Sequence, residues 1–245
     1  LPLIQKSGNT RLTWQASPRN KFSAFYEHQY RVWELDSPTV AYESATKYDF
    51  PRNEFLTTTY SAPITSKLLF DVRVSDIIQG WKDRYPNGGT NLEFTKPLPD
   101  VFKSMIAVTE QGGLIPGLLY RGAGQTGLGP FITVGGWIAS AQASLSYVTG
   151  SHAFKVGFLD TFGTRQVNYT NIDSNTRYQF NNGVPNRITE YTELEGPIRL
   201  KANIGIFLQD QWTVGRLTLN GGLRYNYFNA FVPESVLKAT MFTPE

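Results

Sequence analysis

The chain has 245 residues, enough for one large domain, and 18% of them are charged, below the roughly 25% of an average soluble domain. Its 16 Phe, 13 Tyr and 5 Trp exclude a disordered chain, and the absence of cysteine excludes a disulfide scaffold, a thiol nucleophile and a cysteine metal site. A net charge of +3 does not argue for nucleic acid. The longest nearly apolar stretch, Gly129 to Ala139, is too short for a membrane-spanning helix.

In chain order, alternation of apolar and polar residues predicts antiparallel hairpins. Arg11–Ala16 and Lys21–Trp33 flank Ser17-Pro18-Arg19-Asn20. Phe55–Ser61 and Leu68–Asp76 flank Ala62 to Ser66, and Ala139–Val148 and Ala153–Thr164 flank Thr149-Gly150-Ser151. A further pair, Arg177–Phe180 and Arg187–Thr192, is expected around Asn181-Asn182-Gly183. The last hairpin turns at Thr213-Val214-Gly215. Before that turn Ile204, Ile206, Leu208 and Trp212 share one face; after it Leu217, Leu219, Leu223, Tyr225 and Tyr227 do. Short turns rich in Gly, Pro, Asn and Ser suit such hairpins.

The connections between hairpins are long and polar or Gly/Pro-rich: about 34–53, 79–135 and 168–199. Within the second, the spacing of Val101, Phe102, Met105 and Ile106 predicts a short helix over Pro99 to Glu110. Short turns at one end and long loops at the other match an all-β, antiparallel up-and-down transmembrane β-barrel, with short periplasmic turns and long extracellular loops. About ten strands are expected, all in one barrel domain that spans the chain.

Strands such as Lys21–Trp33 reach the roughly 9 to 11 residues that a tilted membrane crossing needs. Aromatics Tyr26, Tyr30, Tyr147, Phe162, Trp212, Tyr225 and Tyr227 collect on the apolar face, where rings anchor at a lipid–water boundary. Glu27, Arg31, Asp71, Arg73, Arg224 and Asn226 fall on the opposite face and are the candidates to line a lumen. For Glu27, Arg31, Asp71 and Arg73 a cross-strand charge ladder is a simpler account than substrate recognition. Asp210, on the apolar face with Trp212, is expected beyond the hydrocarbon band.

No catalytic constellation and no cofactor motif is present. His28 and His152 lie on different hairpins, so no shared metal site is expected. The loop aromatics Trp33, Tyr42, Trp81, Tyr85 and Tyr120 are candidates for ligand contact or for packing the loops together.

Three segments carry a family resemblance: Arg11 to Phe22, Tyr147 to Phe158 and, most specific, Gly205 to Tyr225. They resemble the barrel of TonB-dependent outer-membrane receptors, and most closely the Oar-like group with a carboxypeptidase-regulatory-like domain. Phe180-Asn-Asn-Gly-Val-Pro-Asn186 fits the same group. The resemblance implies an energised solute transporter in the outer membrane of a Gram-negative bacterium, partnered by lipid, by a plug domain of the same chain and by TonB. Such receptors have barrels of about 22 strands. The chain begins at Leu1 without Met and ends at Glu245 without a closing aromatic, so a section of a larger barrel is expected. A soluble all-β carbohydrate-binding module and a passive porin-like channel fit the alternation as well.

Overall fold

The computed structural model describes residues 3–34, 38–41, 47–84, 106–121, 131–170, 176–190, 196–234 and 239; side chains are described for these except 33–34, 47–48, 81–84, 121, 131–133 and 168–170. Alternating sequence becomes strand because each polar–apolar step turns the next side chain to the other face of a pleated chain. Twelve strands are described: β1 (Leu3–Ser17), β2 (Asn20–Glu34), β3 (Lys47–Pro63), β4 (Leu68–Arg84), β5 (Ala107–Glu110), β6 (Leu118–Arg121), β7 (Phe131–Thr149), β8 (His152–Thr170), β9 (Thr176–Asn181), β10 (Val184–Glu190), β11 (Gly196–Val214) and β12 (Leu217–Phe231).

Eight of them form one antiparallel sheet in the order β1-β2-β3-β4-β7-β8-β11-β12. The four expected hairpins are its building blocks, and neighbouring hairpins pair in chain order. The sheet does not close on itself: β1 and β12 are its two edges. At the tight ends, Gly150 and Gly215 lead their turns with φ of 51° and 59°, a left-handed conformation that glycine adopts without the Cβ clash. The strands of this sheet run 15 to 19 residues. They extend beyond the expected limits, chiefly at the long-loop end, where β4 continues to Arg84 and β8 to Thr170.

The long connections contain a second sheet, in the order β10-β9-β5-β6. Its β9–β10 hairpin turns on Asn182 (φ 51°) and Gly183 (φ 75°), the two positive φ values of a type I′ turn. Strand β5 lies parallel to β9. Beyond β6, the amide of Leu119 donates to the Thr39 carbonyl (2.8 Å) and that of Ala41 to the Leu119 carbonyl (2.8 Å). All three long connections therefore meet in one small sheet, and the end to which they belong is the one opposite the tight turns. Its free edge, β10, is blunted by Pro185, by a bulge between Pro185 and Arg187, and by Arg187 and Glu190, devices that discourage further strand pairing.

The expected helix over Pro99 to Glu110 is corrected here. Ala107–Glu110 is strand β5, because β9 offers these residues a complete ladder of backbone partners, and the β-branched Val108 and Thr109 suit it. Residues 99–105 lie outside those described.

The eight-stranded sheet has almost no conventional core. The buried apolar side chains among the described residues are Val32, Ala62, Ala107, Val108, Leu119 and Val134, while Leu12 (70%), Trp14 (65%), Leu223 (80%) and Tyr225 (64%) stand exposed. No strand of the small sheet packs on the large one among the described residues. An alternating sheet with its large apolar side chains facing outwards and no covering layer takes lipid, not a second layer of protein, as its apolar solvent.

Candidate functional site: the two faces of the sheet

Register sorts the side chains, because residues opposite one another in a ladder point to the same side. One row runs Asp71, Ser144, Gly157, Phe207, Arg224, and the next runs Arg73, Gln142, Leu159, Gly205, Asn226. Another brings Glu27, Phe55, Ile77, Ile138 and Gly163 together, and Arg31 follows two steps beyond Gln29 on the side of Glu27. Glu27, Arg31, Asp71, Arg73, Arg224 and Asn226 thus occupy one face. Hydroxyl pairs tie neighbouring strands there: Ser23 to Thr59 (2.6 Å) and Ser140 to Thr161 (3.1 Å).

Directly across the strands, Asp71, Arg73 and Glu27 do not face opposite charges. Asp71 lies opposite Ser61 and Ser144, Arg73 opposite Thr59 and Gln142, and Glu27 opposite Asn9 and Phe55. Glu27, Arg224 and Arg31 find partners along their own strands or on a ring. The Gln29 amide donates to Glu27 (2.7 Å), Arg224 Nε donates to Asn226 (2.8 Å), and the Arg31 guanidinium sits 5.5 Å from the Phe50 ring centre.

The seven aromatics expected at an interface, Tyr26, Tyr30, Tyr147, Phe162, Trp212, Tyr225 and Tyr227, all fall on the other face. There the structure adds a ring belt beside the tight turns that strand-by-strand reading did not single out. Trp14 stacks on Phe22 (5.6 Å), Phe22 packs on Tyr60 (4.8 Å), and Tyr60 meets Phe70 edge-on (6.3 Å). Further round, His152 stacks between Phe154 (5.2 Å) and Trp212 (5.6 Å). The signal was present at each position, as an aromatic three to six residues from a turn, but the belt exists only once the register aligns them. The Tyr60 hydroxyl donates to Asn20 at the turn (2.6 Å), which keeps its polar tip at the wet end.

Several polar groups on this apolar-rich face have partners. Asp210 lies beside the turn next to Trp212, as expected, and its carboxylate is 2.7 Å from His152 Nδ1. His28 approaches Glu54 (3.7 Å), which also pairs with Arg52 (2.9 Å), towards the long-loop end. The two histidines do not come together, and the described residues hold no group of three or more potential metal ligands. Asp160 falls between Phe158 and Phe162, where β11 bulges between Leu200 and Gly205. Its Oδ1 accepts the amide of Asn203 (3.1 Å), a donor near the break in the β8–β11 ladder.

Of the loop candidates, Tyr120 lies half-buried on β6. The backbones of Trp33 and Trp81 belong to β2 and β4, while their side chains, and Tyr42 and Tyr85 altogether, lie outside the described residues. The loop sheet instead reveals Glu110. Its carboxylate accepts amides of Gly112 (3.0 Å) in its own turn and of Asn182 (2.8 Å) and Gly183 (3.0 Å) at the β9–β10 tip. The Gly113 amide donates to Asn182 Oδ1 (2.7 Å), and the Asn186 amide donates to Gln111. Desolvation works to raise the Glu110 carboxyl, but the amides of Gly112, Gly183, Asn182 and Gln111 favour its charged form and hold it below its ordinary value. The result is a clasp between the turns of two different connections.

At the long-loop end, the polar face carries an apolar hollow of about 550 Å³. Ile77, Ile138, Leu200 and Phe228 are among its lining residues, and Gly136 and Gly163 leave gaps in its wall. It adjoins a polar hollow of about 400 Å³ that includes Glu27, Gln29 and Arg31, the two sharing Phe50, Ile77 and Gln79.

No curated protein matches the chain by sequence. Among solved structures, the outer membrane transporter YddB from Escherichia coli is similar, with a TM-score of 0.63 over 94% of this chain at 15% identity. At that identity the likeness concerns the fold, and this chain spans 28% of the transporter's length. The family model for the outer membrane beta barrel domain matches residues 3–245. With one polar-rich face, one aromatic-belted apolar face and nearest-neighbour antiparallel order, the chain belongs to the outer membrane beta-barrel domain family and is a component of the bacterial outer membrane.

Proposed function

We propose that this chain is a wall section of a TonB-dependent receptor of the Oar-like kind, which takes up a scarce solute with energy delivered from the inner membrane. The observation that carries the reading is the open eight-stranded sheet: its faces are chemically distinct and both edges, β1 and β12, lack partners among the described residues. An unpaired edge is intolerable in hydrocarbon, so further strands complete the wall. In this reading Glu27, Arg31, Asp71, Arg73, Arg224 and Asn226 face the lumen, and the aromatics from Tyr26 to Tyr227 face lipid. The clasped loop sheet stands on the outer side, where Tyr120 and the other loop aromatics receive the solute. The barrel works as a conduit and a recognition surface rather than as a catalyst, and a plug domain of the same chain closes it until TonB pulls.

The test uses the complete protein in planar bilayers and in a binding assay with the periplasmic domain of TonB. A closed baseline together with TonB binding is the expected result. Steady ion conductance without TonB binding would replace this reading with a passive porin, and a monomer soluble without detergent would replace it with a carbohydrate-binding module.

A further inference from the structure

We propose that the hollow at the long-loop end of the polar face is a binding site for an amphipathic organic acid, with the apolar wall taking its aliphatic or aromatic body and Arg165 with Gln79 taking its carboxylate. The inference rests on the reading of this face as a lumen wall.

Apolar side chains gather on the polar face at its long-loop end. Ile77 and Ile138 are opposite one another, followed by Gly163 and Leu200 in the same row. Phe228 stands at the far side on β12. Ile77, Ile138, Ile198 and Phe228 keep between 43% and 66% of their surface exposed. Apolar surface held open on a lumen wall is retained for a contact that covers it. The gaps at the glycines are enforced by close backbone approach: a Cβ on Gly136 would run into the Thr164 carbonyl oxygen, and one on Gly163 into that of Trp137. The hollow is therefore a built depression rather than a missing side chain.

The next row towards the loops runs Gln79, Gly136, Arg165, Ile198. Gln79 and Arg165 flank the gap at Gly136, their backbones two strand spacings, about 10 Å, apart. Both side chains are exposed. Among the described residues, Arg165 is the only charged one lining the apolar hollow, and it makes no ion pair or side-chain hydrogen bond with them. An entirely apolar occupant would bury this guanidinium and the Gln79 amide without an acceptor, which is costly. A carboxylate between them is met by a planar cationic donor and an amide donor, the charge-assisted arrangement that arginine favours. Charge and shape together select an anionic head on an apolar body. A hollow of about 550 Å³ is of ordinary size for a small organic ligand.

The experiment titrates the complete protein, in lipid nanodiscs, with 4-(4-fluorophenyl)butanoate and follows the fluorine NMR signal. The neutral 4-(4-fluorophenyl)butanamide is the comparison. The acid is expected to bind at least about tenfold more tightly than the amide, the scale of one hydrogen bond to a charged group. Arg165→Gln should abolish that preference while leaving the amide's affinity in place. Ile77→Thr, which keeps a β-branched residue on the strand, should weaken both ligands several-fold. Lys155→Gln, on the same face near the tight turns, should change neither. In parallel, Arg165→Cys and Ile206→Cys variants are exposed to a membrane-impermeant maleimide. Labelling at position 165 but not 206 confirms the lumen face; the reverse removes the wall reading itself. If the faces label as expected but the acid does not bind, or Arg165→Gln leaves the acid's preference intact, the site proposal alone is overturned.

Discussion

The facial assignment makes a quantitative prediction at Leu208. This residue lies on the apolar face, opposite Val156 on β8 and Leu223 on β12, four residues along β11 from Trp212 in the belt beside the tight turns. Four residues of strand span about 13 Å, or about 10 Å along the membrane normal at a tilt near 40°. An apolar band is about 25 Å tall, so Leu208 stands close to its middle. Leu208→Arg should then destabilise the barrel by about 2–4 kcal/mol, a shift of roughly 30- to 1,000-fold in the folding equilibrium. Gln209→Arg, one residue along, faces the polar side between Lys155 and Gly222 and should cost well under 1 kcal/mol, as an exposed substitution does. Trp212→Arg, at the boundary, should lose ring packing but pay about 0–1 kcal/mol for its charge. Folding of the complete protein into lipid vesicles from guanidinium, followed by tryptophan fluorescence, measures all three. Equal costs at positions 208 and 209 would refute the division of the sheet into a lipid face and an aqueous face.

Glu110→Gln should loosen the loop clasp, seen as faster amide exchange at Gly112, Asn182 and Gly183, with unchanged exchange in β7 and β8 as the internal control. Because the folded protein holds the Glu110 carboxyl below its ordinary value, the clasp's contribution is fully present above the unfolded value and disappears as pH falls through the lowered one. Protection of those amides, taken relative to the intrinsic exchange rate at each pH, should accordingly hold through neutral and mildly acid conditions and fall only at strongly acid pH; loss of protection around neutrality would contradict this. Gly163→Ala should cost about 1–3 kcal/mol by forcing two strands apart, since its Cβ would meet the Trp137 carbonyl and the Ile138 Cα. Gly8→Ala, which meets open space, should not destabilise, and similar losses at both would remove the close-approach argument. Asp160→Ala should cost about 1–3 kcal/mol by stripping the Asn203 amide of its acceptor, whereas Asp160→Asn retains an acceptor oxygen. A denaturant series in which the two behave alike would show that the bulge does not depend on this bond.

The two faces were legible residue by residue. Tyr225 and Arg224 had to part company because successive side chains on an extended chain point to opposite sides, a consequence of covalent geometry that needs no neighbour. The hairpins were legible for a similar reason: Asn182-Gly183, Gly150 and Gly215 are local choices of backbone conformation. Strand ends were less so. β4 continues through Gly80 to Arg84, where the polar–apolar pattern fades but pairing with β7 through Lys82 holds the backbone extended.

What the sequence determined by itself is therefore the class of architecture and the side to which each strand residue turns. Tertiary structure decided everything that depends on register between strands distant in the chain. The ring belt from Trp14 to Phe70, the row that sets Gln79 and Arg165 either side of Gly136, and the cover that Asp160 gives the Asn203 amide all require specific pairs to come level. The helix expected over Pro99 to Glu110 failed on the same ground. Ala107 to Glu110 took the free edge of β9, some seventy residues away, and backbone pairing across that distance leaves no trace in local periodicity.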